Sequence, residues 1–483
     1  MPRFRCAVCS QTMESDELDP ACRRCGSAVV MVDRVPKVSR AQLEDLPSGV
    51  WRYRAFLPEV PGDDVVTLGE GGTPLLPAER LGKELGLGRL LIKDESRNPT
   101  GSFIDRGSTV LVSLAKERGV RECACVTTGN LGASLAAYCA KAAISSRIRI
   151  QPSTDRGKLY QMLAYGAQVE APSRRPGAGS SEGASLSVTA GNPYILEGEK
   201  TTCFEIVHDL GWKAPDVIVV PVGTGGHLSM IWKALLQLRE SGLVGGGKSR
   251  LLGVRFEGSA QPKGSRRSRQ QAGTNGEPFT ELEESEPFFI NEAAKAMKDS
   301  RGMSLITTES ETIRATSLLA RTEGIFSEPA SASVVASLEA SVERGFIRDD
   351  DTVVCVITGA GLKDTKAVSR LAKATRRVPV RQDYTLARMQ IGETKLALLR
   401  LLSGKPCYGY ELWQRLNLER KITTASVYQH LTELEAVGLL RRAGAVSAKG
   451  RERVPYNLTR NGIDFLRMAG NLERESGKEA SQS

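Results

Sequence analysis

The sequence predicts an α/β fold of parallel strands and crossover helices, with a small cysteine-bound module before it and a helical unit carrying a basic hairpin after it. Three observations carry this reading. Between about Asp63 and Asp364, β-branched runs alternate with helical patterns, the rhythm of strand, crossover and parallel strand. Residues 1–35 hold two Cys-x2-Cys pairs among polar turn residues. Residues 381–483 hold 17 Lys/Arg against 11 Asp/Glu, which places +6 of the formal +10 charge in about a fifth of the 483 residues.

At that length, domains of roughly 100–200 residues give three or four units. An apolar content of 40% and a charged content of 25% are ordinary for a soluble protein. No apolar run approaches the ~20 residues that span a bilayer. Behind Met1-Pro2-Arg3-Phe4-Arg5-Cys6 there is no apolar stretch of a secretory signal, so a cytoplasmic location is expected. Ten cysteines in so long a chain do not make a disulfide scaffold. The six outside the two pairs are expected to be buried, reduced thiols.

The pairs come first in the chain. Cys6-x2-Cys9 and Cys22-x2-Cys25, twelve residues apart, match the zinc-ribbon arrangement, in which two tight knuckles present four thiolates tetrahedrally at about 2.3 Å. Redox Cys-x2-Cys motifs come singly at a helix start. Four cysteine ligands leave no open coordination position, so the expected zinc is structural.

The α/β region, residues 36–375, follows. Cys123–Val126 precedes the helical pattern Leu131–Lys141, Asp216–Val222 precedes Leu228–Leu238, and Thr352–Ile357 precedes a Gly-rich turn. Ser173–Ser187 and Gly258–Glu286, rich in Ser, Gly and charge, read as loops or insertions. Val217–Val222 reads as a strand, Gly223-Thr224-Gly225-Gly226 as a turn, and His227 onward as a helix. The first N–H groups of such a helix lack internal partners, and glycines let an anion approach them. A tight connection with no ligand would look similar.

Asn98-Pro99-Thr100-Gly101-Ser102-Phe103-Ile104-Asp105-Arg106-Gly107 resembles the threonine synthase motif N-P-T-G-S-F-K-D-R-G, whose lysine holds pyridoxal phosphate (PLP) covalently. The resemblance runs in order over roughly residues 1–365, through Val66–Leu75, Thr128-Gly129-Asn130, Glu197–Thr201, Glu328–Ala332 and Thr358–Asp364. It implies the fold of fold-type II PLP enzymes, two α/β subdomains with the cofactor between them. It also implies that Gly223, Thr224, Gly225 and Gly226 cradle the cofactor phosphate, that Asn130 bonds the ring hydroxyl, and that Thr358 bonds the ring nitrogen.

Three departures bear on activity. The lysine position is Ile104; S-T-G-N-T reads Thr127-Thr128-Gly129-Asn130-Leu131; and N-P-x-R reads Asn192-Pro193-Tyr194-Ile195. A primary amine and two polar side chains have become aliphatic. Without the amine, covalent cofactor attachment and the proton transfers of this chemistry lose their group. PLP binding, if retained, is expected to be non-covalent. Lys93, Lys158 and Lys200 remain, but they occur in the family pattern beside its own lysine. His208, His227 and His430 form no ligand spacing and are read as helix residues.

Arg376–Gln390 reads as a linker, residues 391–470 as a helical unit and 471–483 as a polar tail. Leu396, Leu399 and Leu402 repeat at helical spacing, Gly404-Lys405-Pro406 breaks the chain, Tyr408–Leu412 opens a second helix, and Thr424 is read as the cap of a third bearing Val427, Leu431 and Leu434. Leu439–Arg442 and Val454–Leu458 flank a Gly/Lys/Arg-rich turn. With Tyr410-Glu411-Leu412, Ser426-Val427-Tyr428-x2-Leu431 and Tyr456-x-Leu458-Thr459-x2-Gly462, residues 391–466 resemble a PadR-type winged helix. Arg441, Arg442, Lys449, Arg451 and Arg453 would then lie along phosphate on the wing. Thr424, Ser426 and Gln429 would face the major groove.

Together these features predict a DNA-binding transcriptional regulator whose disabled threonine synthase-like body senses PLP, an amino-acid adduct or a phosphorylated amino-acid metabolite. The expected partners are double-stranded DNA and a small-molecule effector, with no membrane. Because only Ile463–Asn471 follows the hairpin as a helix, a homodimer is expected to form through the body. The rival is a threonine synthase-type lyase with an accessory DNA-binding tail, and position 104 separates the two.

Overall fold

A computed structural model describes residues 1–32, 35–127, 129–151, 154–170, 185–245, 249–257, 289–365, 392–419, 421–442, 446–448, 451–463 and 465–466. The chain divides into two compact units, Met1–Thr375 and Arg376–Ser483.

The first unit opens with β1 (Arg3–Cys6), β2 (Thr12–Glu14) and β3 (Val29–Met31), an antiparallel sheet in the order β2-β1-β3. Its few apolar residues, Phe4, Leu18, Val29 and Met31, join the core of the α/β body. Arg5 also grips Glu292 with two hydrogen bonds of 2.8 and 2.9 Å. Helix α1 (Arg40–Glu44) then starts on a Ser39–Gln42 capping box.

In chain order the body is β4 (Leu75–Pro77), α2 (Glu79–Leu85), β5 (Arg89–Asp94), α3 (Asp105–Glu117), β6 (Glu122–Thr127), α4 (Asn130–Ala142), β7 (Ser145–Ile150), α5 (Arg156–Ala164), β8 (Gln168–Glu170), β9 (Ser185–Val188), α6 (Pro193–Glu199), α7 (Thr201–Asp209), β10 (Val217–Pro221), α8 (Gly226–Glu240), β11 (Arg250–Phe256), α9 (Ile290–Ser300), β12 (Met303–Thr307), α10 (Glu309–Glu323), α11 (Pro329–Ala336), α12 (Leu338–Glu343) and β13 (Thr352–Ile357). One sheet runs β12-β11-β10-β13-β5-β4, parallel except at its β4 edge, and the other runs β8-β7-β6-β9, parallel throughout. Within β10, Val217 and Val219 enter one apolar core while Ile218 and Val220 enter another. A strand covered on both faces reads as an unbroken apolar run, which is why it was legible in the sequence.

Ser185–Ser187, expected to end a loop, instead begins β9, in register with β6 from Glu122↔Ser185 to Cys125↔Val188. Leu186 and Val188 are buried between exposed serines, so a period of two was hidden by the serine content. Residues 173–184 and the segment Gly258–Glu286 lie outside the described residues.

The second unit comprises α13 (Glu393–Leu402), α14 (Gly409–Glu419), α15 (Thr424–Ala436), β14 (Leu440–Arg442), β15 (Val446–Ala448), β16 (Arg451–Arg453) and β17 (Tyr456–Leu458). Antiparallel pairs β14–β17 and β15–β16 make one hairpin. Leu398, Leu402, Leu412, Leu416, Val427, Leu431 and Leu434 close a core beneath it. The cap of α15 is Thr423, not Thr424. Thr423 has the extended backbone (φ −79°, ψ 152°), and its side chain accepts from the Ser426 amide, so Thr424 is the first helical residue. Residues 460–463 and 465–466 are helical. The linker 376–390, the rest of the last expected helix and the polar tail lie outside the described residues.

An ionic cluster, buried except at Asp209, holds the centre of the body. Arg106 in α3 donates to Glu95 at 2.5 and 2.8 Å and to Glu205 in α7 at 2.8 and 2.6 Å. Lys93 in β5 sits 2.9 Å from Glu205 and 3.2 Å from Asp209. Burial opposes charge on Glu205, but Arg106 and Lys93 hold it well below the usual carboxylate range. Arg106→Met would leave Glu95 and Glu205 buried without their arginine. We expect a loss of about 3–5 kcal/mol of unfolding free energy, read by chemical denaturation of the full chain; a loss below about 1 kcal/mol would show that the cluster does not hold the body.

Candidate functional site

The residues predicted to hold a ligand follow the C-terminal ends of three parallel strands, where open α/β sheets form their crevices. After β10 comes Gly223–Gly226, with Gly225 at φ +85°. A Cβ on Gly225 would lie 2.7 Å from the Phe289 carbonyl oxygen, so both conformation and close approach require glycine there. Gly223 is different, since a Cβ on it would meet nothing within 4 Å. The turn leads into α8, a 15-residue helix whose N-terminus carries the positive end of its dipole.

After β6 comes Asn130, first residue of α4. Its Nδ2 lies 3.2 Å from the carboxylate of Glu328, while its Oδ1 is buried with no partner. Glu328 in turn receives Lys158 at 2.9 Å. After β13 comes Thr358, whose hydroxyl lies 2.7 Å from that of Ser331. Its carbonyl accepts the Phe103 amide at 3.0 Å, and Phe103 stacks on His227 with ring centroids 4.3 Å apart. The segment 102–104, the head of α8 and the ends of β6 and β13 are thus gathered in one place. Thr128 lies outside the described residues.

Ile104, Leu131 and Ile195 belong to one apolar cluster, with exposures of 7%, 6% and 0%. Ile195 packs so tightly on Gly107 that a Cβ there would lie 2.5 Å from it. Among the lysines, Lys93 is fixed in the central cluster, Lys200 bonds Glu197, and Lys158 bonds Glu328. Two further buried groups were given no role from the sequence: His227, read as a helix residue, and Lys363, which falls inside the Thr358–Asp364 stretch of the resemblance. His227 is buried beside Thr202 with its Nδ1 unpartnered. Lys363 is buried and donates to the Thr100 carbonyl oxygen at 2.7 Å.

Cys6, Cys9, Cys22 and Cys25 place their sulfurs within 4.8 Å of one another. The separations Cys6–Cys25, Cys9–Cys22 and Cys9–Cys25 are 3.5, 3.6 and 3.7 Å, near the ~3.8 Å edge of a tetrahedron of sulfurs around zinc. The Val8 and Cys9 amides point at Cys6 Sγ, the knuckle that stabilises a thiolate.

On the second unit, Ala425, Tyr428, Gln429 and Thr432 form the exposed stripe of α15. Gln429 bonds Glu433 at 3.0 Å. Ser426 is half-buried against His430, to the side of that stripe, and Thr424 is half-buried at its head. Tyr428, not among the predicted contacts, is in the stripe. Arg441 is exposed, whereas Arg442 bonds Glu435 and lies over the Tyr456 ring. Arg451 and Arg453 are on β16, with their side chains outside the described residues, as is all of Lys449.

A protein-family profile described as "Pyridoxal-phosphate dependent enzyme" matches residues 66–359. The chain belongs to the pyridoxal-phosphate dependent enzyme family. A second profile, "Transcriptional regulator PadR-like family", matches residues 398–468. Threonine synthase of Methanocaldococcus jannaschii is 37% identical over 385 residues, covering 76% of this chain and 95% of that one. The enzyme of Halalkalibacterium halodurans is 38% identical over 65% of this chain and 88% of its own. Among solved structures, the processed form of threonine deaminase isoform 2 from Solanum lycopersicum aligns with a TM-score of 0.49 at 18% identity, over 71% of this chain and 100% of that one. Among the described residues no helix is long and apolar enough to cross a membrane.

The family's cofactor can be tested against the residues present. An orphaned buried acceptor on Asn130, an open glycine turn at a helix head and a paired hydroxyl on Thr358 suit a ring hydroxyl, a phosphate and a ring nitrogen. The aliphatic side chain of Ile104 offers no covalent bond.

His227 gives a pH test of the pocket. Burial pushes its pKa down to about 4 from 6.5, with Glu95 opposing and Arg106 assisting. The unfolded chain therefore takes up this proton first as pH falls, and stability present above pH 6.5 is lost toward pH 4, by roughly 3 kcal/mol from this group. Unfolding free energies of wild type and His227→Gln should diverge in slope across that window, the variant falling less. Parallel slopes would show that His227 is not held neutral.

Proposed function

We propose that this protein is a DNA-binding transcriptional regulator whose threonine synthase-like body holds a ligand without catalysing its family's reaction. The observation that carries the reading is one chain that joins a PadR-like unit to a PLP-family body with isoleucine at the lysine position. In this reading PLP, a PLP–amino-acid adduct or a phosphorylated amino-acid metabolite binds non-covalently. Gly223–Gly226 and the α8 head take the phosphate, Asn130 Oδ1 accepts the ring hydroxyl, and Thr358 meets the ring nitrogen. The second unit acts as a winged helix. Its α15 enters the major groove through Gln429 with Tyr428 and Thr432 beside it, Thr424 and Ser426 lie at the helix head, and Arg441, Arg442, Lys449, Arg451 and Arg453 line the backbone from the hairpin. The protein works in the cytoplasm as a homodimer formed through the body.

A second reading, a threonine synthase-type lyase with a DNA-binding tail, is favoured by the 37% identity to the M. jannaschii enzyme. It requires an amine that reaches the cofactor. Borohydride treatment of the protein with PLP should leave no reduced adduct, and O-phosphohomoserine should not be converted to threonine; a reduced adduct on Lys158 or Lys363 would favour the lyase.

The regulator reading is tested by selecting duplex DNA with the full chain and measuring affinity with and without PLP, its amino-acid adducts and phosphohomoserine. Arg441→Ala should weaken all DNA binding and lower the salt slope by about 0.9 for each phosphate it no longer neutralises, while Gln429→Ala should change sequence preference. A tenfold effector response corresponds to about 1.4 kcal/mol of coupling. Gly223→Val, which has space for its side chain, should bind operator and fail to respond. If no ligand shifts the wild type, the body is a scaffold and not a sensor.

We also propose that the four cysteines hold a structural zinc. Metal analysis should find about one zinc per chain, and Cys22→Ser should loosen the N-terminal module while leaving DNA affinity unchanged. A metal-free wild type would overturn this.

A further inference from the structure

Beside the pocket already described, a cavity of about 360 Å³ lies between the Ser96–Gly101 loop, the start of α5 and the turn after β13. None of Asn130, Gly223–Gly226 or Thr358 lines it. Two polar side chains meet there. Lys363, 4% exposed, donates to the Thr100 carbonyl oxygen at 2.7 Å, and the Gln161 amide donates to the same oxygen at 3.2 Å. Sharing one oxygen, the ammonium and the amide lie within the span of a very small molecule. Each has a valence left over. An ammonium has three donors, and that carbonyl takes one of them. Gln161 Oε1 is a buried acceptor with no partner.

The charges around Lys363 do not complete it. Glu328 is bonded to Lys158, while Asp105 is bonded to Thr100 and to Ser134. Burial pushes the Lys363 ammonium down to about 8, with Glu328 and Asp105 opposing and Lys158 assisting. At neutral pH it is thus a cation with one acceptor among the described residues, and leaving a buried polar group short of partners costs stability. A ligand anion would offset that cost, and a ligand donor would satisfy Gln161. The rim suits a short side chain, with Pro99, Ala360 and the exposed Leu362 along it.

The geometry points to a binding site for a small free α-amino acid, with its carboxylate on Lys363 and its ammonium on Gln161 Oε1. The zwitterion matches the two valences in sign, whereas an anion alone leaves Gln161 Oε1 unpaired and an amine alone leaves Lys363 short of an acceptor. This site is separate from the phosphate-binding turn, and it stands whether or not the body holds PLP.

The test is calorimetry on the full chain with glycine, L-alanine, L-serine and L-threonine, and with ethanolamine and L-lactate, which each keep one of the two groups. At least one of the four amino acids should bind saturably, and both one-group analogues should bind about tenfold more weakly or worse. Lys363→Met and Gln161→Leu should each weaken binding by about tenfold or more, with thermal unfolding confirming that the variants are folded. Gly223→Val should bind amino acid like wild type, although it is expected to lose the PLP response, so the two ligand claims fail separately. The proposal is overturned if none of the four binds, if the analogues match the amino acids, or if both folded variants bind like wild type.

Discussion

Arg106 is the constraint on which the body depends. A guanidinium with no exposure to water, gripped by two carboxylates of which one also pairs with a second buried cation, leaves little freedom at any neighbouring position: removing one partner strands a charge in a dry interior. The surrounding motif is tied to the same cluster. Asn98 bonds Glu95 through Nδ2 and accepts the Gly71 amide. Asp105 takes the Thr100 amide and hydroxyl. Gly198 approaches the Arg106 carbonyl so closely that no Cβ would fit. Most of a sequence that looks like a catalytic signature is therefore structural, which explains how it persists around an altered position 104. Isoleucine there adds to an apolar cluster and brings no charge or hydrogen-bonding group of its own.

What was legible in the sequence shares one property, that its signal is local. Buried parallel strands read as continuous apolar runs, and four cysteines at fixed spacing read as one tetrahedral site because each knuckle is only a few residues long. The glycine turn after β10 was legible because strand, turn and helix head are adjacent in the chain. What was missed depends on distance. The Arg106 cluster joins residues 93, 95, 106, 205 and 209, and Lys363 reaches an oxygen at residue 100. No window of sequence contains these partners together. The α15 cap was misplaced by one residue because Thr423 and Thr424 are equally competent chemically, and only the extended backbone at 423 decides between them.

Both proposed ligand positions lie in one seam. Asn130 and Lys158 stand on α4 and α5, beside the four-stranded sheet, whereas Glu328 heads α11 against the six-stranded sheet, and the contacts among these three cross from one subdomain to the other. The cavity at Lys363 is built the same way, with Gln161 on α5 and Lys363 after β13. A ligand shifts an equilibrium only by the difference in its affinity for the two states. A molecule bound wholly within one subdomain touches the same atoms whether the seam is open or closed and has little such difference. One that bonded Gln161 on one side and Lys363 on the other would lose half its partners if the seam opened, so its binding free energy would depend on how the subdomains meet. Such a dependence would not need a covalent bond at position 104, because it would reside in the seam.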